Sequence, residues 1–308
     1  MVYYSHSGIP HPIPYQGSKR RLATVILQYH PGRVRYLIEP FAGSAAVTLA
    51  AAYKKMADQY IIGDILEPLV GIWEMILSTP ELLTDQYEMM WKAQLDNPHK
   101  YYLRIREEFN NDGDPAKLLY LLARCVKNAV RFNIYGKFNQ SADHRRKGMH
   151  PKKMKFNIFR AHELLCGRCQ AICGDYSKLL EKASSNDLIY MDPPYQGVSG
   201  NKDSRYFKQI NFDNLMEKLT DLNTRGIKYM LSYDGSCGSK RYGKDLPHSL
   251  DLTQIQIHVG KSAQATLTGM DKDTVESLYI SPSLMSIVKD ISSNISIVHD
   301  SLQIKMSF

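Results

Sequence analysis

Tyr36-Leu37-Ile38-Glu39-Pro40-Phe41-Ala42-Gly43-Ser44 is a short apolar run closed by an acid, then a turn of small residues, and it leads into the Ala-rich stretch Ala45 to Met56. That order predicts strand, tight turn and helix. The pattern recurs outward from there. Tyr60 to Gly63 is apolar, ends at Asp64, and is followed by Pro68 and helical periodicity from Leu69 to Leu77. Cys169 to Cys173 runs into Asp175, and Asp187 to Met191 runs into Asp192. Ile227 to Ser232, Ile255 to Val259 and Ser277 to Ile280 are further strand-like runs. Strands that alternate with helices predict an α/β sheet. From about Pro80 to Arg160 the alternation stops: charged helices, the polar turn Asn110-Asn111-Asp112-Gly113-Asp114-Pro115, a helix over Leu118 to Val130, then a Gly-, Asn- and Arg-rich segment. The expected organisation is one catalytic domain, residues 1–75 and 161–308, carrying an inserted, mainly helical region at 76–160.

Composition is consistent with this and narrows the partners. A chain of 308 residues with 44% apolar content can bury a large core. Thirty-nine Lys and Arg against 31 Asp and Glu leave a net charge of +8, which favours a polyanionic partner. Met1 to Pro14 lacks the basic and apolar regions of a secretory leader, and no uncharged apolar run approaches the ~20 residues that span a bilayer, so a cytoplasmic protein with no membrane partner is expected. Cys166, Cys169 and Cys173 form C-x2-C-x3-C without a fourth ligand at zinc spacing, which predicts reduced, partly buried thiols and no metal.

Glu39, Asp64, Asp175 and Asp192 each end a strand, at the sheet edge where open α/β folds bind ligands, so the four acids are expected to ring one crevice. The turn Pro40 to Ser44 lacks G-x-G-x-x-G spacing and no P-loop is present, which disfavours nicotinamide or flavin dinucleotides and nucleoside triphosphates. A nucleoside without phosphates needs an acid for its ribose hydroxyls, an apolar slot for its base and a glycine that admits close approach. That combination suits S-adenosylmethionine.

Tyr190-Met191-Asp192-Pro193-Pro194-Tyr195 carries the chemistry. Its two prolines remove two backbone donors and stiffen the loop, so the Asp192 carboxylate and nearby carbonyls can face outward as acceptors. An amine on an aromatic ring is a poor nucleophile because its lone pair is delocalised. Acceptors that hold both N–H groups favour a more tetrahedral nitrogen. Tyr195 offers a ring face on which an extruded base can stack, a contact worth ~1–3 kcal/mol.

Together, Pro14-Tyr15-Gln16-Gly17-Ser18-Lys19-Arg20, Glu39 to Ser44, Gly63-Asp64-Ile65, Asn133-Ile134-Tyr135-Gly136-Lys137-Phe138-Asn139 and Asp192 to Tyr195 resemble the Dam-like alpha group of adenine-N6 DNA methyltransferases, in family order and over residues 12–281. The resemblance implies a Rossmann-like S-adenosylmethionine-dependent methyltransferase sheet with an inserted target-recognition region. It places Tyr15, Gly17 and Lys19 over the methionine end of the cofactor and Glu39, Phe41 and Gly43 in the first cofactor turn. It puts Asp64 on the ribose, Asp175 and Tyr176 on the adenine, and Asp192, Pro193, Pro194 and Tyr195 on the target adenine. It implies S-adenosylhomocysteine as product and no metal. Ser18 replaces a common glycine, and Leu66 stands where the family often has Asn.

From Ser141 to Arg160 seven Lys or Arg face one acid, Asp143. Arg145, Arg146, Lys147, Lys152 and Lys153 are the expected phosphate contacts. Asn128, Arg131, Asn133, Tyr135, Lys137 and Asn139 supply groups that read base edges, and their segment resembles the family hairpin that enters duplex DNA beside the target base. Gln140 to Gly148 is similar to an extension in some restriction-modification methyltransferases, so a cognate restriction endonuclease joins double-stranded DNA among the expected partners, with a monomer or weak dimer as the expected state. Methylation of cytosine N4, of RNA or of a protein amide, and a non-catalytic DNA-binding role, stay open at this level.

Overall fold

The computed structural model describes residues 8–194, 210–237, 240–242, 245–261 and 273–294. Its centre is an eight-stranded sheet: β1 Val34–Glu39, β2 Ala57–Asp64, β3 Cys169–Cys173, β4 Leu188–Met191, β5 Lys228–Cys237, β6 Lys240–Tyr242, β7 Thr253–Lys261 and β8 Asp273–Ile280. The order is β3-β2-β1-β4-β5-β8-β7, with β6 attached to β5. The pairs β1/β2, β2/β3, β1/β4 and β4/β5 are parallel, and β8 is antiparallel to both β5 and β7. This is the expected Rossmann-like arrangement. The strand order reverses direction between β1 and β4, and a ligand crevice opens at the carboxyl ends of the strands at such a point.

The described helices are α1 Ala23–Ile26, α2 Ala46–Tyr53, α3 Glu67–Ser78, α4 Pro80–Ala93, α5 Pro98–Asp112, α6 Pro115–Arg124, α7 Pro151–Leu165, α8 Tyr176–Lys182, α9 Phe212–Thr224 and α10 Pro282–Asn294. Alternate strand residues feed two cores. Leu37, Leu188, Tyr190 and Met230 face the layer built by α2, α3 and the inserted helices, while Ile38, Ile189, Met191, Tyr229 and Leu231 face α8 and α9. All four β4 residues are fully buried, as expected of a parallel strand covered on both faces.

Proline punctuates the inserted region. Pro80, Pro98, Pro115 and Pro151 each open a helix, where the missing N–H costs nothing. Asn97, Asp114 and His150 cap three of those helices through their side chains. The boundaries 75/76 and 160/161 fall inside α3 and α7, and Met154, Ile158, Ala161 and Leu165 of α7 are completely buried in the same core as α2 and α3. The insertion is therefore packed on the sheet layer and shares its core.

The helix expected over Leu118 to Val130 ends at Arg124. Lys127 (φ 60°) and Asn128 (φ 53°) turn left-handed, and the Asn128 amide donates back to the Leu122 carbonyl at 2.7 Å, so a local side-chain bond takes over where apolar periodicity continues. Among the cysteines, Cys125 is buried, Cys169 half-buried, and Cys166 and Cys173 exposed, so two of the three clustered thiols are more open than expected. The tail resolves first into α10; residues 295–308 lie outside the described residues.

Candidate active site

A cavity of about 300 Å³ opens at the carboxyl ends of β1, β2, β3 and β4. Glu39, Asp64, Asp175 and Asp192 all line it, as do Tyr15, Gly17, Lys19, Phe41, Gly43, Tyr176, Pro193 and Pro194. Every candidate cofactor residue is thus gathered in one place, with two of the three loop residues that follow Asp192. Tyr195 lies outside the described residues.

The first turn is built around Gly43. Its φ of +48° is left-handed, and a Cβ there would sit 3.0 Å from the Tyr15 ring. The turn is fixed from three sides: Trp73 Nε1 donates to the Gly43 carbonyl at 3.0 Å, the Gly43 N–H donates to Asp64 Oδ2 at 3.2 Å, and Ser44 Oγ donates to Ser18 Oγ at 2.7 Å. The N-terminal segment is thereby stitched to the turn across 26 residues of sequence. Phe41 and Tyr176 stand with ring centroids 4.9 Å apart and form an apolar wall. The Tyr176 hydroxyl is buried and has no hydrogen-bond partner among the described residues, on a side chain that lines the cavity.

The acids differ in state. Glu39 is buried, and Thr48 donates to its Oε2 from both backbone N–H and hydroxyl, so the carboxyl anchors the start of α2. Burial pushes its pKa up to about 8 against the pull of the Thr48 bonds, with the Asp192 charge adding to the rise. Asp64 is also raised by burial, opposed by the backbone N–H groups of Leu66 and Gly43. Asp175 is exposed and caps α8 through the Ser177 N–H at 3.0 Å.

Lys19 carries an ion pair that sequence reading did not anticipate. Only 7% exposed, its ammonium lies 2.8 Å from both Asp192 oxygens, so its charge is directed at the carboxylate after β4 while its side chain still lines the cavity. Behind Asp192, the buried Tyr190 hydroxyl bonds Ser232 Oγ at 2.8 Å and steadies the end of β4. Several lining residues were given no role by sequence reading: Val130, Ile65, Ile210, Asn211 and Asn214. Asn211 caps α9 by accepting from the Asp213 and Asn214 N–H groups, a cap signal readable in Asn211-Phe212-Asp213. Val130 comes from the inserted region, which the Gln16 N–H also joins by a 2.9 Å bond to the Asn128 carbonyl.

The segment after α6 forms a short hairpin, bridged at Phe132 and Phe138. Asn133 closes its tip by accepting from the Tyr135 and Lys137 N–H groups, with Gly136 at φ +71°. Ile134 is 89% exposed and Tyr135 80%, and Lys137 and Asn139 are exposed beside them. Arg131 is half-buried. Asn128 departs from the expected DNA-reading set: its amide is spent on the Leu122 carbonyl, and it organises the turn instead of facing outward. Arg145, Arg146, Lys147, Lys152 and Lys153 are exposed. Arg146 pairs with the buried Asp143 at 2.8 Å, which holds the basic loop in shape without removing it from solvent. Among the described residues no group of three His, Cys, Asp or Glu could hold a metal ion, and no helix is long and apolar enough to cross a membrane.

Residues 15–264 match the family profile of the D12 class N6 adenine-specific DNA methyltransferase. The chain is 26% identical over 232 residues to a DNA N-6-adenine-methyltransferase of Escherichia phage P1, covering 72% of this chain and 29% of that protein. It is 28% identical over 192 residues to a DNA adenine methylase of Serratia marcescens, covering 61% and 67%. It is 25% identical over 243 residues to the type II methyltransferase M.MjaIII of Methanocaldococcus jannaschii, covering 71% and 82%. The chain thus spans less than a third of the phage protein and about two thirds or more of the other two.

Proposed function

The chain belongs to the D12 class N6 adenine-specific DNA methyltransferases, and from that membership and the cavity we propose that it methylates the N6 of adenine in duplex DNA, with S-adenosylmethionine as donor. The observation that carries the reading is Asp192, Pro193 and Pro194 standing in one cavity with Asp64, Phe41 and Tyr176.

The cavity fits a phosphate-free nucleoside: Asp64 as acceptor for ribose hydroxyls, Phe41 and Tyr176 as the slot for a base, Asp175 at its rim, and Gly43 against Tyr15, where a Cβ would close the space. Tyr15, Gly17 and Lys19 cover it from the N-terminal side. When bound, the donor supplies a methyl group on a positively charged sulfur. The Asp192 carboxylate in the wall makes the cavity receptive to that charge, whereas Glu39, its pKa pushed up to about 8 by burial, is mostly neutral near pH 7.

The chain's own part in the reaction is to accept and orient. Asp192, held by Lys19, accepts from the amine of an adenine extruded from the helix, and the Pro193 carbonyl is the second acceptor. The prolines keep both oriented without competing backbone donors. Holding two reactants in one cleft can supply on the order of 7–11 kcal/mol of the barrier in favourable cases. The hairpin tip with Ile134 and Tyr135 and the basic face from Arg145 to Lys153 are the DNA-reading surface, and residues 76–160 its target-recognition region. The name of the M.MjaIII relative, a type II methyltransferase, supports a restriction-modification setting with a cognate endonuclease.

Asp192→Ala should abolish N6-methyladenine formation, read by mass spectrometry of nucleosides from treated duplex, while S-adenosylmethionine binding by calorimetry persists. Substantial methylation by that variant, or methyl on cytosine instead, overturns the reading.

A further inference from the structure

The ammonium of Lys19 serves two carboxylates. Asp192 takes it through both oxygens at 2.8 Å, and Glu276 Oε2 stands 3.6 Å away. Glu276 comes from β8, whose antiparallel pairing with β5 sets Glu276 opposite Gly235, just past a register shift between Ser232 and Gly235. That pairing returns the chain to the sheet edge where β4 ends. Glu276 does not line the cavity, and its buried Oε2 accepts no hydrogen bond among the described residues. A lone buried carboxylate would be costly, so this one is tolerated because of the lysine beside it. At equal dielectric, its pull on the ammonium is about three quarters of that of an Asp192 oxygen, by the ratio of the distances.

We propose that Glu276 is a positioning residue for the methyl transfer: by sharing Lys19 with Asp192, it leaves the Asp192 carboxylate held in place yet less neutralised than an undivided lysine would leave it, and so a stronger acceptor for the target amine. A one-to-one Lys–Asp pair would orient the carboxylate but quench its charge. A second acid on that lysine draws away part of the charge that Asp192 would otherwise take, and Asp192 is the one of the two that borders the cavity. Burial pushes the Glu276 carboxyl up, the Lys19 charge draws it back, and the Asp192 charge adds to the rise.

This inference rests on the proposed adenine methylation, and its test separates the two. Glu276→Gln keeps the shape and removes the charge. Single-turnover methylation of duplex DNA should fall about tenfold, with the affinity for S-adenosylmethionine by calorimetry and the melting temperature unchanged, and Glu276→Asp should recover part of the rate. In the unliganded protein, carbon-13 carboxyl NMR should find Glu276 titrating above the ordinary glutamate range, and higher still in Lys19→Met. A Gln variant with the wild-type rate, a parallel loss of rate and cofactor affinity, or a Glu276 titration indifferent to Lys19→Met overturns the proposal. Should the wild-type protein leave adenine unmethylated, the functional reading fails, and the NMR titration still decides whether the lysine is shared.

Discussion

Gly43 shows how a single residue can bind several parts of the site together. Its backbone N–H meets Asp64, its carbonyl meets Trp73, and its missing Cβ leaves room for Tyr15. Two residues on, Ala45 adopts φ +44°, so the turn already carries one left-handed non-glycine residue. A second costs about 1–2 kcal/mol in backbone energy alone. Gly43→Ala should therefore lower the melting temperature modestly and, by displacing the Tyr15 ring, weaken S-adenosylmethionine binding more than it weakens the fold. Calorimetry and thermal unfolding on one preparation check this; an Ala variant with wild-type affinity would mean that Tyr15 does not close the cavity.

At the scale of elements, the loop proposed to read DNA is held by side chains from the inserted helices. Seven of its backbone groups are claimed by side chains from α4 and its C-cap Gln94, from α5 and from α6. Tyr87 donates to the Met149 carbonyl at 2.6 Å, Gln94 to Lys147 at 2.9 Å, and Tyr102 to Gln140 at 2.8 Å. Asn110 pairs with both backbone groups of Phe138. Arg124, 3% exposed, donates to the Asp143 carbonyl at 2.9 Å and to the Arg146 carbonyl, and its Nε meets Gln94, which also accepts from Tyr120. An irregular segment thus gains the backbone satisfaction that a strand would get from a neighbour. Arg124→Met leaves those carbonyls and Gln94 unmet, at about 1–3 kcal/mol for each buried group. The expected outcome is a lower melting temperature and weaker DNA binding by fluorescence anisotropy, with S-adenosylmethionine affinity retained. Loss of cofactor binding in equal measure would show that the loop and the cavity unfold together.

The whole molecule stores a pH dependence in Glu39. Its folded-state pKa of about 8 exceeds the ordinary value of 4.5, because burial favours the neutral acid. Folding therefore prefers the protonated form: this contribution to stability is complete below pH 4.5 and is lost as pH rises through about 8. Each pKa unit is worth about 1.36 kcal/mol. Glu39→Gln, which cannot ionise and still offers Thr48 an oxygen, should melt at the wild-type temperature near pH 5 and several degrees higher above pH 8. A variant that melts lower at alkaline pH would show that the Thr48 bonds need a carboxylate.

Sequence alone determined the α/β alternation, the four strand-end acids, the glycine turn and the Asp192 loop. Each is written in local periodicity or in a residue type whose backbone demands are specific: small residues where φ turns positive, prolines where no donor is wanted. What lay in contacts across the chain was not legible. The meeting of Lys19 with Asp192 spans 173 residues, and that of Lys19 with Glu276 depends on β8 folding back antiparallel beside β5. Nor does spacing reveal that Asn128 turns inward while Ile134 and Tyr135 stay exposed, or that the helix after Pro115 stops at Arg124. Those outcomes follow from which buried donors and acceptors find partners once the sheet has closed, and only tertiary structure decides that.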